Sequence, residues 1–210
     1  MPQTVNLILI LVLAAAPLFA VLRRARWSPR TIKLVMVAVP LLLFPLNAPL
    51  HEAMHILGTR LMGGTVGQVR LLQRFWVPDA PVPMIETSGL QTAIARFVAA
   101  VLPYAADAAL LAIGAVLISR RRIRSPWAFG AFFLFFVLKP SFDIAANVAA
   151  ASLYGIGDFQ QMAGIIGGPS AAALQGILLA AAMGTTLAFV WVHRRPAQDW
   201  YGDPIGPSRE

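Results

Sequence analysis

The chain has 210 residues and a formal net charge of +8, with 58% hydrophobic but only 12% charged side chains. Soluble domains carry about twice that charged share, and no soluble core of this size could bury so much apolar side chain, so lipid is the natural solvent for most of the chain. The basic residues fall in short clusters between apolar runs, the pattern of membrane topology and not of nucleic-acid binding, and the absence of cysteine excludes both a disulfide framework and a thiolate metal site.

The first apolar stretch covers residues 5–22. No Lys or Arg precedes it, while Arg23, Arg24 and Arg26 follow it. That is the reverse of a secretory signal, and it predicts a retained helix whose C-terminal end is cytoplasmic. The second stretch, 34–62, is interrupted by Pro40, Pro45 and Pro49, which predicts a kinked or broken helix. Asn47 is a candidate N-cap for its second part, and Gly63-Gly64 a candidate stop.

Residues 63–89 are too polar to span and long for a bare loop. Residues 66–77 are rich in β-branched and aromatic side chains, Pro78-Asp79-Ala80-Pro81 is a turn signal, and 82–87 can return as a second strand. A short β-hairpin is one reading and an irregular external loop the other. Three more apolar stretches follow at 90–118, 128–154 and 171–192, then a loose tail at 196–210. The fold class is thus an all-α polytopic membrane protein. It is a single transmembrane domain over 1–195 with about five spans and a short β-hairpin after the second.

Alternation of the spans brings three basic clusters to one face. They are Arg23 to Lys33, Arg120 to Arg124, and Arg194-Arg195. The positive-inside rule makes that face cytoplasmic. The N-terminus is expected outside and the C-terminus inside, in the plasma (inner) membrane of a prokaryote.

The chemistry concentrates in His51-Glu52-Ala53-Met54-His55. Histidines four residues apart on a helix share a face, one turn apart, at the spacing of two ligands to one zinc ion. Glu52 beside them is placed to take a proton from a zinc-bound water and pass it to a leaving amine. One Zn2+ per chain is expected, and it requires a third protein ligand and an open position. Ionisable groups inside apolar spans are costly and mark function. Asp143, inside the fourth span, is therefore the preferred third ligand. Asn147 lies one turn further on the same face, in a supporting role.

Asp158 is the alternative ligand, although the Gly155-Ile156-Gly157-Asp158 segment also reads as ordinary turn chemistry. Lys139 is one turn before Asp143 and can pair with it, and Arg96 can pair with Asp107 along one helix face. His193, beside Arg194 and Arg195, reads as a solvated residue at the end of the last span.

These residues resemble the site-2 protease family of intramembrane zinc metalloproteases, over about residues 43–151. His51 and His55 match the family's histidine ligands and Glu52 its catalytic glutamate. Gly58 and Gly63-Gly64 resemble the glycines that often follow that motif. Phe142-Asp143 matches the family's Leu-Asp-Gly in part, with Ile144 in place of the glycine, and Pro140 resembles the proline that often precedes it. The resemblance implies hydrolysis of peptide bonds in or near transmembrane segments of a membrane-protein substrate. It also implies that residues 66–77 clamp the unwound segment by β-augmentation. The alternative is a non-proteolytic membrane protein, for metal binding, transport or scaffolding, that keeps a protease-like fold.

Overall fold

In a membrane every backbone polar group must find its partner within the chain, and long apolar runs satisfy this as helices. A computed structural model describes residues 8–22, 28–71, 84–119 and 126–193. The arginine clusters at 23–26, 120–124 and 194–195, the 72–83 segment with its Pro78 to Pro81 turn, and the 196–210 tail lie outside the described residues. Within them the protein is mostly helical. Four helices are long and apolar enough to cross a membrane, as expected of a membrane protein.

Helix α1 covers 8–22, with a π-helical turn at Leu11–Ala15. Its apolar portion, Ile8–Ala20, is shorter than the other four. Helix α2 runs from Pro29–Leu61. It starts earlier than its apolar run because Ser28 caps it, accepting the Thr31 amide at 3.2 Å, and Pro29 suits the first helical position. Pro40, Pro45 and Pro49 lie inside one continuous helix, which excludes the break but not the kink of the sequence expectation, and Asn47 is an interior residue instead of a cap. It ends where expected, with Gly63 at φ +76°.

Strands β1 (Thr65–Arg70) and β2 (Met84–Ser88) pair antiparallel, Thr65 opposite Ser88 and Arg70 opposite Met84, with an irregularity between Val66 and Val69. Helix α3 is Ala93–Ser119, opened by Thr92, whose hydroxyl accepts the Ala95 amide at 3.0 Å. Helix α4 covers 126–154 and contains a π-helical turn, Leu134–Leu138, just before Lys139 and Pro140. A short helix absent from the sequence reading, α5, covers Asp158–Ile166, and α6 covers Gly168–His193.

Among the described residues the interior has two apolar clusters. One gathers Ala14 and Leu18 of α1, Val35 and Leu43 of α2, a run of α4 phenylalanines and Phe189 of α6. The other gathers Tyr104 and Leu111 of α3, Ile144 of α4, Phe159 and Met162 of α5, and Leu178 of α6. His193 is buried, its Nδ1 against the Phe189 carbonyl at 2.8 Å and its ring among Phe129 and Phe189. The solvated reading of that residue is therefore corrected: with its ring nitrogen satisfied by its own helix, the imidazole packs as an aromatic plate. Outward-facing side chains such as Leu41, Ile113, Ile177 and Leu187 are exposed hydrophobics, suited to lipid.

Candidate metal centre

The His motif lies in the last third of α2, where Gly58 governs the approach of α3. A Cβ at that glycine would stand 2.9 Å from the Ala99 Cα, so the two helices touch backbone to backbone. The contact brings the His55 ring to the Ala99 carbonyl. In an α-helix that carbonyl would accept the amide of residue 103. Residue 103 is proline, which has no N–H to give. His55 Nδ1 donates instead, at 2.8 Å.

His51 is held from the other side. Its Nδ1 is 2.7 Å from Asp143 Oδ2. Asp143 is in turn fixed by Lys139 Nζ at 3.2 Å, Asn147 Nδ2 at 3.2 Å and Asn47 Nδ2 at 3.4 Å. Lys139 also donates to Asp107 Oδ1 at 2.6 Å. Asp107 thus pairs across helices with Lys139, and not with Arg96 along its own helix as the spacing suggested.

An Asp143 carboxylate and an Ala99 carbonyl can only accept. Both imidazoles therefore carry a proton on Nδ1 and turn Nε2 the other way. The two Nε2 atoms are 3.1 Å apart, and Asp158 Oδ2 completes the triangle at 3.0 Å from His51 and 3.2 Å from His55. His51, His55 and Asp158 form a group that could hold a metal ion. Here the order of the two aspartates reverses. Asp143 faces the ring nitrogen that points away from the triangle, while Asp158 faces the two that converge. The Gly155 and Gly157 turn, at φ +64° and +92°, ends α4 and delivers Asp158 as the first residue of α5.

The donor set fits a zinc ion. Three lone-pair donors in mutual contact repel one another unless protons or a cation stand between them. Zinc at ~2.0–2.1 Å from tetrahedral ligands places neighbouring donors about 3.3 Å apart, slightly wider than the observed triangle. Lys139 pairs with Asp107 and Asp143, whereas Asp158 has the two imidazoles and the Tyr104 hydroxyl as its partners. Burial pushes the Asp158 carboxyl up. Where protons instead of a cation stand between the donors, hydrogen bonds from His51 and His55 protonated on both nitrogens, with the charge of those rings, outweigh it and hold the group well below the usual carboxylate range. It is ionised at neutral pH.

A cleft of about 790 Å³ opens onto the triangle. Glu52, His55 and Asp158 line it together with Ile85 and Thr87 of β2, and Arg96, Asn147 and Gln161 supply polar groups. Glu52 is 9% exposed and reaches this space from the turn between the two histidines. Among the described residues the strand lining the cleft is β2, whereas the sequence reading gave the clamp to 66–77, of which 72–77 lie outside the described residues. Tyr104, which the sequence reading passed over, donates its hydroxyl to Asp158 Oδ2 at 2.8 Å. Comparison with protein families, curated proteins and solved structures found no match to this chain.

Proposed function

We propose that the protein is an intramembrane zinc metalloprotease of the site-2 protease type, with His51, His55 and Asp158 as the metal ligands. The observation that carries this reading is the meeting of three lone-pair donors beside Glu52, in a cleft lined by strand residues Ile85 and Thr87. Zinc, when bound there, supplies Lewis acidity that lowers the pKa of water and polarises a carbonyl. Glu52 takes the proton from the attacking water at its carboxylate and returns it to the leaving amine nitrogen as the C–N bond breaks. Asp143 and the Ala99 carbonyl keep both rings in the tautomer that presents Nε2. Asn147 orients Asp143 and stands at the cleft wall.

The substrate is a segment of another membrane protein, unwound so that its backbone can add to β2. Among the described residues β2 pairs on one side only, with β1. We also read α1 as a fifth span, because Ile10, Ala14 and Leu18 are buried against α2, α4 and α6. The N-terminus then lies outside and the C-terminus inside, in a prokaryotic plasma membrane. The test is cleavage of a co-expressed membrane substrate by the wild type and by Glu52→Gln, with zinc measured in both purified proteins. The expected result is one zinc per chain in both and cleavage by the wild type alone. Cleavage by the variant at the wild-type rate would refute the assignment.

A further inference from the structure

Each residue of the donor triangle is held by a second group, and the three holders differ in kind. His51 has a carboxylate behind it and His55 a backbone carbonyl. Asp158 has the hydroxyl of Tyr104, which is fully buried in α3. The Tyr104 ring stacks on Phe159, the residue after Asp158, with centroids 4.4 Å apart and planes 29° apart. It also meets the edge of His51 at 5.6 Å. Its position is therefore set on two sides by packing, and the hydroxyl has one acceptor.

That acceptor is a particular oxygen. Tyr104 Oη, His51 Nε2 and His55 Nε2 all contact Oδ2 of Asp158, and Oδ1 receives no hydrogen bond from a described residue. A carboxylate can bind zinc through one oxygen or both. A donor fixed on Oδ2 occupies one of its lone pairs and leaves the other to point at the two imidazoles. It also fixes the carboxylate's rotation, which keeps Oδ1 turned from the triangle.

We infer that Tyr104 is a positioning residue that holds Asp158 as a one-oxygen ligand through Oδ2 and so keeps the fourth position clear for water and the substrate carbonyl. This rests on the metal-centre reading above. It assigns the phenol a role in ligand geometry and none in proton transfer.

Tyr104→Phe deletes the hydroxyl and keeps the ring that stacks on Phe159. Phe159→Leu does the converse, since it loses the stack and leaves the hydroxyl. Each protein is purified in detergent, loaded with cobalt(II) as a spectroscopic stand-in, and titrated with a chelator. The wild type is expected to show the intense visible absorption of a four-coordinate site. Tyr104→Phe is expected to release cobalt at least tenfold more readily, in the range found for lost ligand-orienting hydrogen bonds (about 10–100-fold). Its absorption should weaken as both carboxylate oxygens engage. Phe159→Leu should melt at a lower temperature but keep the wild-type cobalt spectrum. Wild-type retention and spectrum in Tyr104→Phe would overturn the inference and leave the metal centre standing. The same spectral change in Phe159→Leu would overturn it too, by tracing the effect to ring packing. A wild type that takes up no cobalt at all would overturn the metal centre itself.

Discussion

The two sides of His51 carry the same residue type in opposite surroundings. On the α4 side Asp143 is 2% exposed and sits in a closed network with Lys139, Asp107, Asn147 and Asn47. On the α5 side Asp158 follows a glycine turn, faces the cleft and keeps one oxygen without a described hydrogen-bond donor. Burial and charge alone would rank Asp143 first as a ligand. What decides is which imidazole nitrogen each carboxylate meets. A carboxylate on Nδ1 orients the ring, whereas one beside Nε2 shares its target.

The largest effect expected falls on the open side. Glu52→Gln should lower proteolysis by about 10²–10⁴-fold, the usual contribution of a general base, with zinc content unchanged in elemental analysis. Next comes the aspartate pair itself. Asp158→Asn should lose zinc in a chelator titration more completely than Asp143→Asn, for which a loss of about 10–100-fold is expected. An Asp143→Asn protein that binds no zinc, beside an Asp158→Asn protein that binds normally, would invert the comparison.

On the closed side, Lys139→Met leaves two buried carboxylates without their cation. It should cost about 3–5 kcal/mol in a denaturation experiment, with a smaller effect on zinc content in the folded fraction. The smallest effect belongs to Asn47→Ala. Its 3.4 Å contact to Asp143 is long for a hydrogen bond, so a loss of about 0.5–1.5 kcal/mol or less is expected, and zinc affinity should stay within tenfold of wild type.

Four of the five expected spans were legible as long apolar helices, because lipid dictates both the length and the apolarity of a crossing helix. The pairing of His51 with His55 was legible because helical spacing alone puts both rings on one face. Of the segments 66–77 and 82–87, which read equally as strands or as an external loop, the described residues form strands at Thr65–Arg70 and Met84–Ser88. What joins distant helices was not. Asp158 reads locally as a turn residue, and only the packing of α5 on α3 shows that it is enclosed by Tyr104 and two histidines. Asp107 reads locally as a partner for Arg96, but interhelical contact gives it Lys139. Pro103 was the one available signal for the His55 anchor. A proline in a buried helix orphans the carbonyl four residues back, and an orphaned carbonyl asks which donor answers it.

The triangle of donors joins parts of the chain that are far apart in sequence. His51 and Asp158 stand 107 residues apart, and between them lie the sheet, α3 and α4. A bond across so long a loop removes far more freedom from the opened chain than one between neighbours. The free energy of ion binding at such a point is also free energy of folding. Helix α5, bounded by turns at Gly157 and Gly167, is the element that such a tether would fasten to the rest under the proposed metal reading. If the proposed metal centre holds, chelation should therefore unfasten α5 as well, and the first bonds to become open to an added protease should be those flanking its two glycine turns.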